Sequence, residues 1–142
     1  MSNSQEMLEA LDQQDLTSAD YYFQKALVED SDDLLLELAY YLEGIGFYPQ
    51  ARQIYEKLAP VFPEVNLNLA SISSEDGQIE EAFAYLEEIQ PNSDSYVSAL
   101  VLKADFYQME GLTDVAREKL LEALHYSDDP LLIFGLAELD SE

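Results

Sequence analysis

One pattern of small and apolar residues occurs four times along this chain of 142 residues. In each copy an alanine is followed four residues later by an aromatic residue or leucine, and three residues after that by alanine, leucine or isoleucine. The copies are Ala19-Phe23-Ala26, Ala51-Tyr55-Leu58, Ala82-Leu86-Ile89 and Ala116-Leu120-Ala123. They start 32, 31 and 34 residues apart. Self-similarity with a period in the low thirties is typical of a helical solenoid, in which each repeat is one supersecondary unit.

Two further series follow the same period. The first consists of Ala39, Ala70, Ala104 and Ala137, and the second of Gly46, Gly77 and Gly111. Two helices approach to about 8–10 Å where the contacting side chains are small, so the alanines predict helix–helix contacts. A left-handed residue favours glycine, so the glycines predict tight turns between the two helices of a pair.

The spacing of apolar residues between the breakers predicts an all-α fold with about four helix pairs and one C-terminal helix. We call the two members of each pair its first and second helix. The predicted repeats are 5–31, 33–63, 64–93 and 95–128, with an extra helix over 129–140 that opens on Asp129 as N-cap and Pro130 in the first turn. Within the later repeats, the predicted helices are 64–75, 79–89, 94–109 and 113–126. No linker separates these segments, which predicts a single domain over 1–142.

The net charge of the chain restricts the kinds of molecule that it can bind. The chain has 30 acidic and 6 basic side chains, and its formal net charge is −24. This charge repels nucleic acid phosphates and anionic lipid headgroups, and it favours basic partners. The alternative is that the acidic residues only solvate the outer faces of helices. No secretory signal and no apolar stretch long enough for a bilayer occurs, so we expect a cytoplasmic protein without membrane contact.

No complete set of catalytic or metal-binding residues occurs. The chain has no cysteine, and Glu122-x-x-His125 lacks the second such motif of a di-iron site because His125 is the only histidine. Residues 30–33 begin like a calcium loop but lack its glycine and its distant glutamate. We therefore expect a protein that is not an enzyme and that needs no cofactor and no metal.

The repeated residues resemble those of the tetratricopeptide repeat (TPR) family. The best copy has Leu38-Ala39 in its first helix, Gly46 at the turn, Ala51, Tyr55 and Leu58 in its second helix, and then Pro63. The resemblance covers about residues 5–140 and implies a right-handed α-α superhelix. It also implies that the first helices line a concave groove that holds a peptide or a partner helix.

Helical geometry selects the side chains of the first helices that face this groove. They combine apolar groups with acids and amides: Asp33, Leu36, Glu37, Tyr40, Glu43, Leu67, Asn68, Ser71, Val101, Leu102, Asp105 and Gln108. Such a strip suits a basic or amphipathic segment, with the amides of Asn68 and Gln108 placed to bind backbone groups. The alternative is that these are ordinary exposed helix residues. Lys103 is the only basic residue on a first helix, which argues against a clamp for acidic carboxyl termini.

The last predicted helix is strongly apolar, and Leu131, Leu132, Phe134 and Leu136 are its candidates for self-association. Terminal repeats of a solenoid normally present a polar outer face. Either the chain is the amino-terminal part of a longer array, which the intact repeat phase favours, or this helix packs on another subunit. Self-association follows in both cases.

These patterns predict a non-catalytic protein–protein interaction scaffold with an acidic concave groove. The alternative is a structural or oligomerisation segment of a longer repeat protein without a peptide ligand. A third hypothesis is a nucleic-acid mimic that uses its acidic surface to occupy basic proteins.

Overall fold

The computed structural model describes residues 1–141, and these contain nine α-helices, one short 3-10 turn at Pro63–Val65 and no strand. The prediction of an all-α fold with four helix pairs and one further helix is confirmed. The helices are α1 (Asn3–Asp12), α2 (Leu16–Glu29), α3 (Asp32–Gly44), α4 (Tyr48–Leu58), α5 (Asn66–Glu75), α6 (Ile79–Glu87), α7 (Tyr96–Met109), α8 (Thr113–Ala123) and α9 (Pro130–Asp140).

The helices divide into two compact units. Unit 1 is Met1–Phe62 and contains α1 to α4, and unit 2 begins at Pro63 and contains α5 to α9. The helix pairs α1–α2, α3–α4, α5–α6 and α7–α8 each lie within one unit. The single domain over 1–142 stays a prediction.

Glycine sets the turns inside three of the four pairs. Gly46, Gly77 and Gly111 have φ angles of 87°, 76° and 80°, in the left-handed region that side chains disfavour. In the first pair the same place is taken by Gln14, whose φ is 60°. The connection of α1 and α2 therefore has the same geometry as the others, although it lacks the glycine by which the sequence marks them.

The repeated alanines lie where the paired helices meet. Ala51, Ala82 and Ala116 on the second helices are fully buried, and their partners Ala39, Ala70 and Ala104 on the first helices are at most 3% exposed. Short side chains at these positions allow the helix axes to approach closely. Ala137 departs from the series and is exposed. Its helix, α9, has no paired second helix within residues 1–141, so nothing packs against that position.

Asp30 joins the N-terminus of α1 to the connection between α2 and α3 in unit 1. Its Oδ2 accepts a hydrogen bond from the Ser4 backbone N–H at 2.8 Å, and its Oδ1 accepts one from Asn3 Nδ2 at 3.1 Å. Burial opposes ionisation of Asp30, but the hydrogen bonds from Ser4 and Asn3 outweigh it and lower the pKa of the carboxyl. The ionised carboxylate thus satisfies N–H groups that a helix start leaves without partners.

Unit 2 is organised around α7, which packs into two apolar clusters. On one side Ala99 and Phe106 join a cluster with α5 and α6, where the Phe83 and Phe106 rings meet edge to face at 5.6 Å. On the other side Leu100 and Ala104 join a cluster with α8 and α9. Helix α7 thus packs against α5 and α6 on one side and against α8 and α9 on the other. This explains why apolar residues occur around most of its circumference.

The last helix, α9, packs on α8 and shares one apolar cluster with α7 and α8. Leu132 and Leu139 are 5% and 4% exposed within the α7–α8–α9 cluster, and Leu136 is packed against the same cluster. Arg117 on α8 forms an ion pair with Asp140. The N-terminus of α9 is as predicted, because Asp129 Oδ1 accepts a hydrogen bond from the Leu131 N–H at 3.0 Å.

Five predicted helix ends need correction. Helix α1 in unit 1 begins at Asn3 instead of residue 5, and the other four ends lie in unit 2. Helix α5 begins at Asn66 instead of residue 64, because Pro63–Val65 forms the 3-10 turn. Helix α6 ends at Glu87 instead of residue 89, since the next N–H groups form shorter-range bonds ahead of Pro91. Helix α7 begins at Tyr96, and α8 ends at Ala123. None of the helices in residues 1–141 combines the length and the apolar character needed to cross a membrane.

The glycine turns generate a test with a matched control inside one loop. Gly46→Ala should lower the free energy of unfolding by about 1–2 kcal/mol, because alanine is strained in the left-handed region. Gly44→Ala, two residues earlier at the end of α3, meets no atom within 4 Å and has no positive φ. We expect it to be neutral or to stabilise by up to about 1 kcal/mol. Urea unfolding followed by the helical circular dichroism signal measures both, and equal stability of the two variants would contradict the assigned turn.

Candidate binding groove

The first helices of unit 2 and α9 line an open cavity of about 450 Å³. We call it the α5–α7–α9 groove. Its walls come from side chains of α5, α7, α8 and α9, and from Asp129 just before α9. The lining residues are Leu67, Val97, Ser98, Val101, Leu102, Ala104, Asp105, Gln108, Leu120, Asp129, Leu131, Leu132, Gly135, Glu138 and Leu139.

This groove brings together five of the seven residues that were predicted to face a groove from α5 and α7. They are Leu67, Val101, Leu102, Asp105 and Gln108. The other two, Asn68 and Ser71, are half-buried on α5 and do not line the cavity. Asn68 and Gln108 already have interaction partners within the protein.

The remaining predicted residues lie on α3 in unit 1. Asp33 and Glu37 are exposed, and Leu36 is half-buried. The Tyr40 ring lies 6.1 Å from the ring of Tyr55. The Glu43 carboxylate accepts a hydrogen bond of 2.6 Å from the Tyr55 hydroxyl. Glu43 therefore helps to connect α3 to α4, which the sequence did not reveal. A binding role for the α3 residues stays a prediction.

The α5–α7–α9 groove joins an apolar lining to carboxylates. Its charged lining residues are Asp105, Asp129 and Glu138, and none of its lining residues is basic. Asp105 is exposed on α7, and partial desolvation of its carboxylate raises the pKa of this residue above its usual value. A cation that reaches Asp105 would recover part of the electrostatic free energy that water no longer supplies.

Lys103 does not contribute to the groove, although it is on α7. Its side chain is turned toward α6, with Nζ 2.8 Å from Glu87 Oε1, and the residue is only 8% exposed. Lys103 occupies the position before the repeated alanine, where other copies have leucine, and its aliphatic stem is buried in the same way. Lys103 therefore has a structural role, because it forms an ion pair with Glu87.

Helix α9 is the wall of the groove that sequence reasoning missed. Ala137 is in phase with Ala39, Ala70 and Ala104, and this phase assigns α9 to the first helices, which face the groove. The signal was therefore present in the sequence. The run of apolar residues from Leu131 to Leu136 is the stronger signal in this helix, and it favours self-association instead.

The four self-association candidates on α9 have different environments. Leu131 and Phe134 are 70% and 62% exposed, as is Ile133 at 58%. Leu132 is buried in the chain's own core, and Leu136 is half-buried against it. The side chain of Leu132 is therefore not accessible to another molecule, since it is buried in a cluster with residues of α7 and α8. Only the exposed members of the run are available to another molecule.

The groove offers contacts and charge but no reactive group in a catalytic arrangement. Its lining contains serine, glutamine and carboxylates, without histidine, cysteine or lysine. His125 is exposed in the turn that follows α8 and does not line the cavity. Within residues 1–141, no group of three acidic, histidine or cysteine side chains is arranged to hold a metal ion. The arrangement is suited to binding an apolar group together with a cation.

The raised pKa of Asp105 predicts a pH-dependent effect on stability. Because the folded protein binds this proton more tightly than the unfolded chain, ionisation of Asp105 costs stability as pH rises through the folded-state pKa. Asp105→Asn should therefore raise the free energy of unfolding at pH 7, by no more than about 1 kcal/mol for a solvent-screened group. The gain should disappear as pH falls below the unfolded-state pKa.

Urea unfolding at several pH values measures this difference. Glu118→Gln is the matched control, since it removes one negative charge from an exposed position on α8 outside the groove. An equal gain from the two variants would show that relief of general charge repulsion, and not desolvation of Asp105, is responsible.

Comparison with known proteins gives one informative relative. The chain is 32% identical over 116 residues to the TPR repeat-containing protein YpiA of Bacillus subtilis (strain 168). The alignment covers 79% of this chain but 27% of that protein, so the chain spans about a quarter of its relative's length. No family model matches the chain. The chain is thus similar to a protein named for TPR repeats, in agreement with its helix pairs and with the residues that repeat along it.

Proposed function

We propose that this chain is a TPR-family scaffold without catalytic activity, and that it binds a basic amphipathic segment of another protein in the α5–α7–α9 groove. One observation carries the proposal: the groove combines an apolar lining with three carboxylates and no basic group. The similarity to a TPR repeat-containing protein supports the scaffold role. It says nothing about the ligand, because one repeat fold holds many unrelated partners.

Both parts of the groove contribute to the proposed recognition. Leu67, Val101 and Leu102 supply apolar surface, which gains free energy when it is removed from water. Asp105, Asp129 and Glu138 supply a negative potential that a lysine or arginine would complement. The net charge of −24 adds long-range attraction for a basic partner and speeds its association at low salt.

A selection from a library of random 16-residue peptides displayed on phage tests this proposal. The wild-type chain should enrich peptides that combine lysine or arginine with large apolar residues. Asp105→Lys should weaken binding of a selected peptide at least tenfold, because it places a like charge beside the ligand's cation. Fluorescence anisotropy with the synthetic peptide measures this loss, and higher salt should weaken the wild-type complex.

Glu118→Lys is the matched control for this charge reversal. It changes the net charge by the same amount at an exposed position on α8 outside the groove, so it should retain most of the affinity. Equal losses in the two variants would assign the binding to net charge alone. Failure to enrich any peptide would contradict the proposed role of the groove.

A second candidate function is self-association through α9 as a structural segment. The exposed side chains of Leu131, Ile133 and Phe134 favour it, since these apolar groups lie close together on a short helix. The large negative charge opposes it, because two copies of this chain repel each other. Analytical ultracentrifugation of the wild type and of Phe134→Asp distinguishes the two functions. A concentration-dependent dimer that Phe134→Asp dissociates would favour self-association.

A further inference from the structure

We infer that one face of α9 binds an α-helix of another protein, in the same way that each second helix of this chain packs on its first helix. We call this surface the α9 pairing face, and its residues are Ile133, Leu136 and Ala137. None of the three lines the α5–α7–α9 groove. The inference therefore concerns a second binding surface and is independent of the proposed function.

One side of α9 is covered in the same way as the matching side of α7. Leu132 and Leu139 lie one repeat after Ala99 and Phe106. Ala99 and Phe106 are buried in a cluster with residues of α5 and α6, the pair that precedes α7. Leu132 and Leu139 are likewise buried in a cluster with residues of α7 and α8, the pair that precedes α9. This side of α9 therefore needs no further partner.

The other side of α9 lacks the cover that α7 has. Leu100 and Ala104 of α7 are buried in a cluster with residues of its second helix, α8. One repeat later the same positions are Ile133 and Ala137, which are both exposed, and Leu136 between them is half-buried. No second helix covers this face in the described part of the chain. An apolar surface that is buried in one repeat and open in the next indicates a site for another helix.

Helix α3 is the closest match to α9 in sequence. When the two helices are aligned on the repeated alanine, residues 34–39 match residues 132–137, and five of the six positions are apolar in both. The positions that match the α9 pairing face are Leu35, Leu38 and Ala39, and all three are buried. The helix that packs on α3 is α4. Helix α4 thus shows which kind of helix fits such a face.

The apolar face of α4 specifies the residues of the bound helix. Helix α4 buries Ala51, Ile54, Tyr55 and Leu58. The small side chain allows the helix axes to approach closely, and the larger ones fill the space around the crossing. The helix that binds α9 therefore has a small residue at the crossing, followed by large apolar residues three, four and seven positions later.

The charges of the helices favour a basic partner over a second copy of this chain. Helix α9 contains Glu138 and Asp140 and no basic residue. Helix α3 is also acidic without a basic residue, whereas its partner α4 contains Arg52 and Lys57 and one acid, Glu56. Two copies of α9 would bring acidic helices together on chains that each have a net charge of −24. Charge complementarity thus selects an amphipathic helix with net positive charge.

Two synthetic peptides of equal length test the inference. One contains residues 47–59 around α4 and the other residues 78–90 around α6, with the repeated alanine at the same position in both. The α6 peptide is the matched control, because it has four acids and no basic residue. The α4 peptide should bind about tenfold more tightly at low salt. Amide chemical shifts of the isotope-labelled full chain should change most at Ile133, Leu136 and Ala137.

A pair of variants tests the location of the site. Ile133→Asp should weaken binding of the α4 peptide by about tenfold or more, because a carboxylate beneath a docked helix loses its hydration. Val28→Asp is the matched control, since it replaces a branched aliphatic side chain by the same acid at an exposed position on α2. It should retain the affinity. Both positions are exposed, so both variants should keep the helical circular dichroism signal.

The results that would overturn the inference are specific. Shift changes centred on Val101 and Asp105 would assign the peptide to the groove. Equal losses in the two variants, or no saturable binding, would show that the α9 pairing face binds no helix. A dimer that Ile133→Asp dissociates in analytical ultracentrifugation, and that excludes the peptide, would make a second copy the occupant. Failure here leaves the proposed function intact, because its peptides depend on Asp105 and not on Ile133.

Discussion

The close approach of paired helices at buried alanines is the contact on which the rest of this structure depends. Ala51, Ala82 and Ala116 have no exposed surface, and their first helices carry the buried alanines Ala39, Ala70 and Ala104. Ala82 shares an apolar cluster with Ala70, and Ala116 shares one with Ala104. A methyl group at these points allows the two helices to pack with interlocking ridges, and the larger side chains nearby, such as Tyr55 and Leu86, fill the remaining core. The left-handed glycines provide the short turns that this proximity requires.

The groove of unit 2 is a consequence of this packing. One face of α7 carries the small residues and packs against α8. Another face, with Ala99 and Phe106, packs against α5 and α6. The row from Val97 to Gln108 is left at the surface, where α9 forms the facing wall. Asp105, Asp129 and Glu138 give the groove negative charge, and none of its lining residues is basic. Lys103, although it is on α7, forms an ion pair with Glu87 instead. A helical scaffold built in this way offers side chains to a partner but very little backbone.

The sequence predicted what depends on periodicity and missed what depends on individual side-chain contacts. The spacing of alanine and glycine predicted the helix pairs and their turns. The helix period placed Val101 and Asp105 on one face of α7, and both line the groove. Periodicity did not show that Leu131 is exposed while Leu132 is buried. Five of the six residues from Leu131 to Leu136 are apolar, so every face of this helix has the same apolar character in the sequence. The pairing of Glu43 with Tyr55 was also beyond reach, since it depends on rotamers and on the distance between two helices.

A substitution at one helix contact tests the central claim most directly. Ala82→Leu and Ala84→Leu place the same side chain on α6, at a fully buried position and at an exposed one. If helix approach at the small residues holds the fold together, Ala82→Leu should lower the free energy of unfolding in urea by about 1–3 kcal/mol, the usual cost of overpacking a core. Ala84→Leu should leave it nearly unchanged. Equal stability of the two variants would contradict the account.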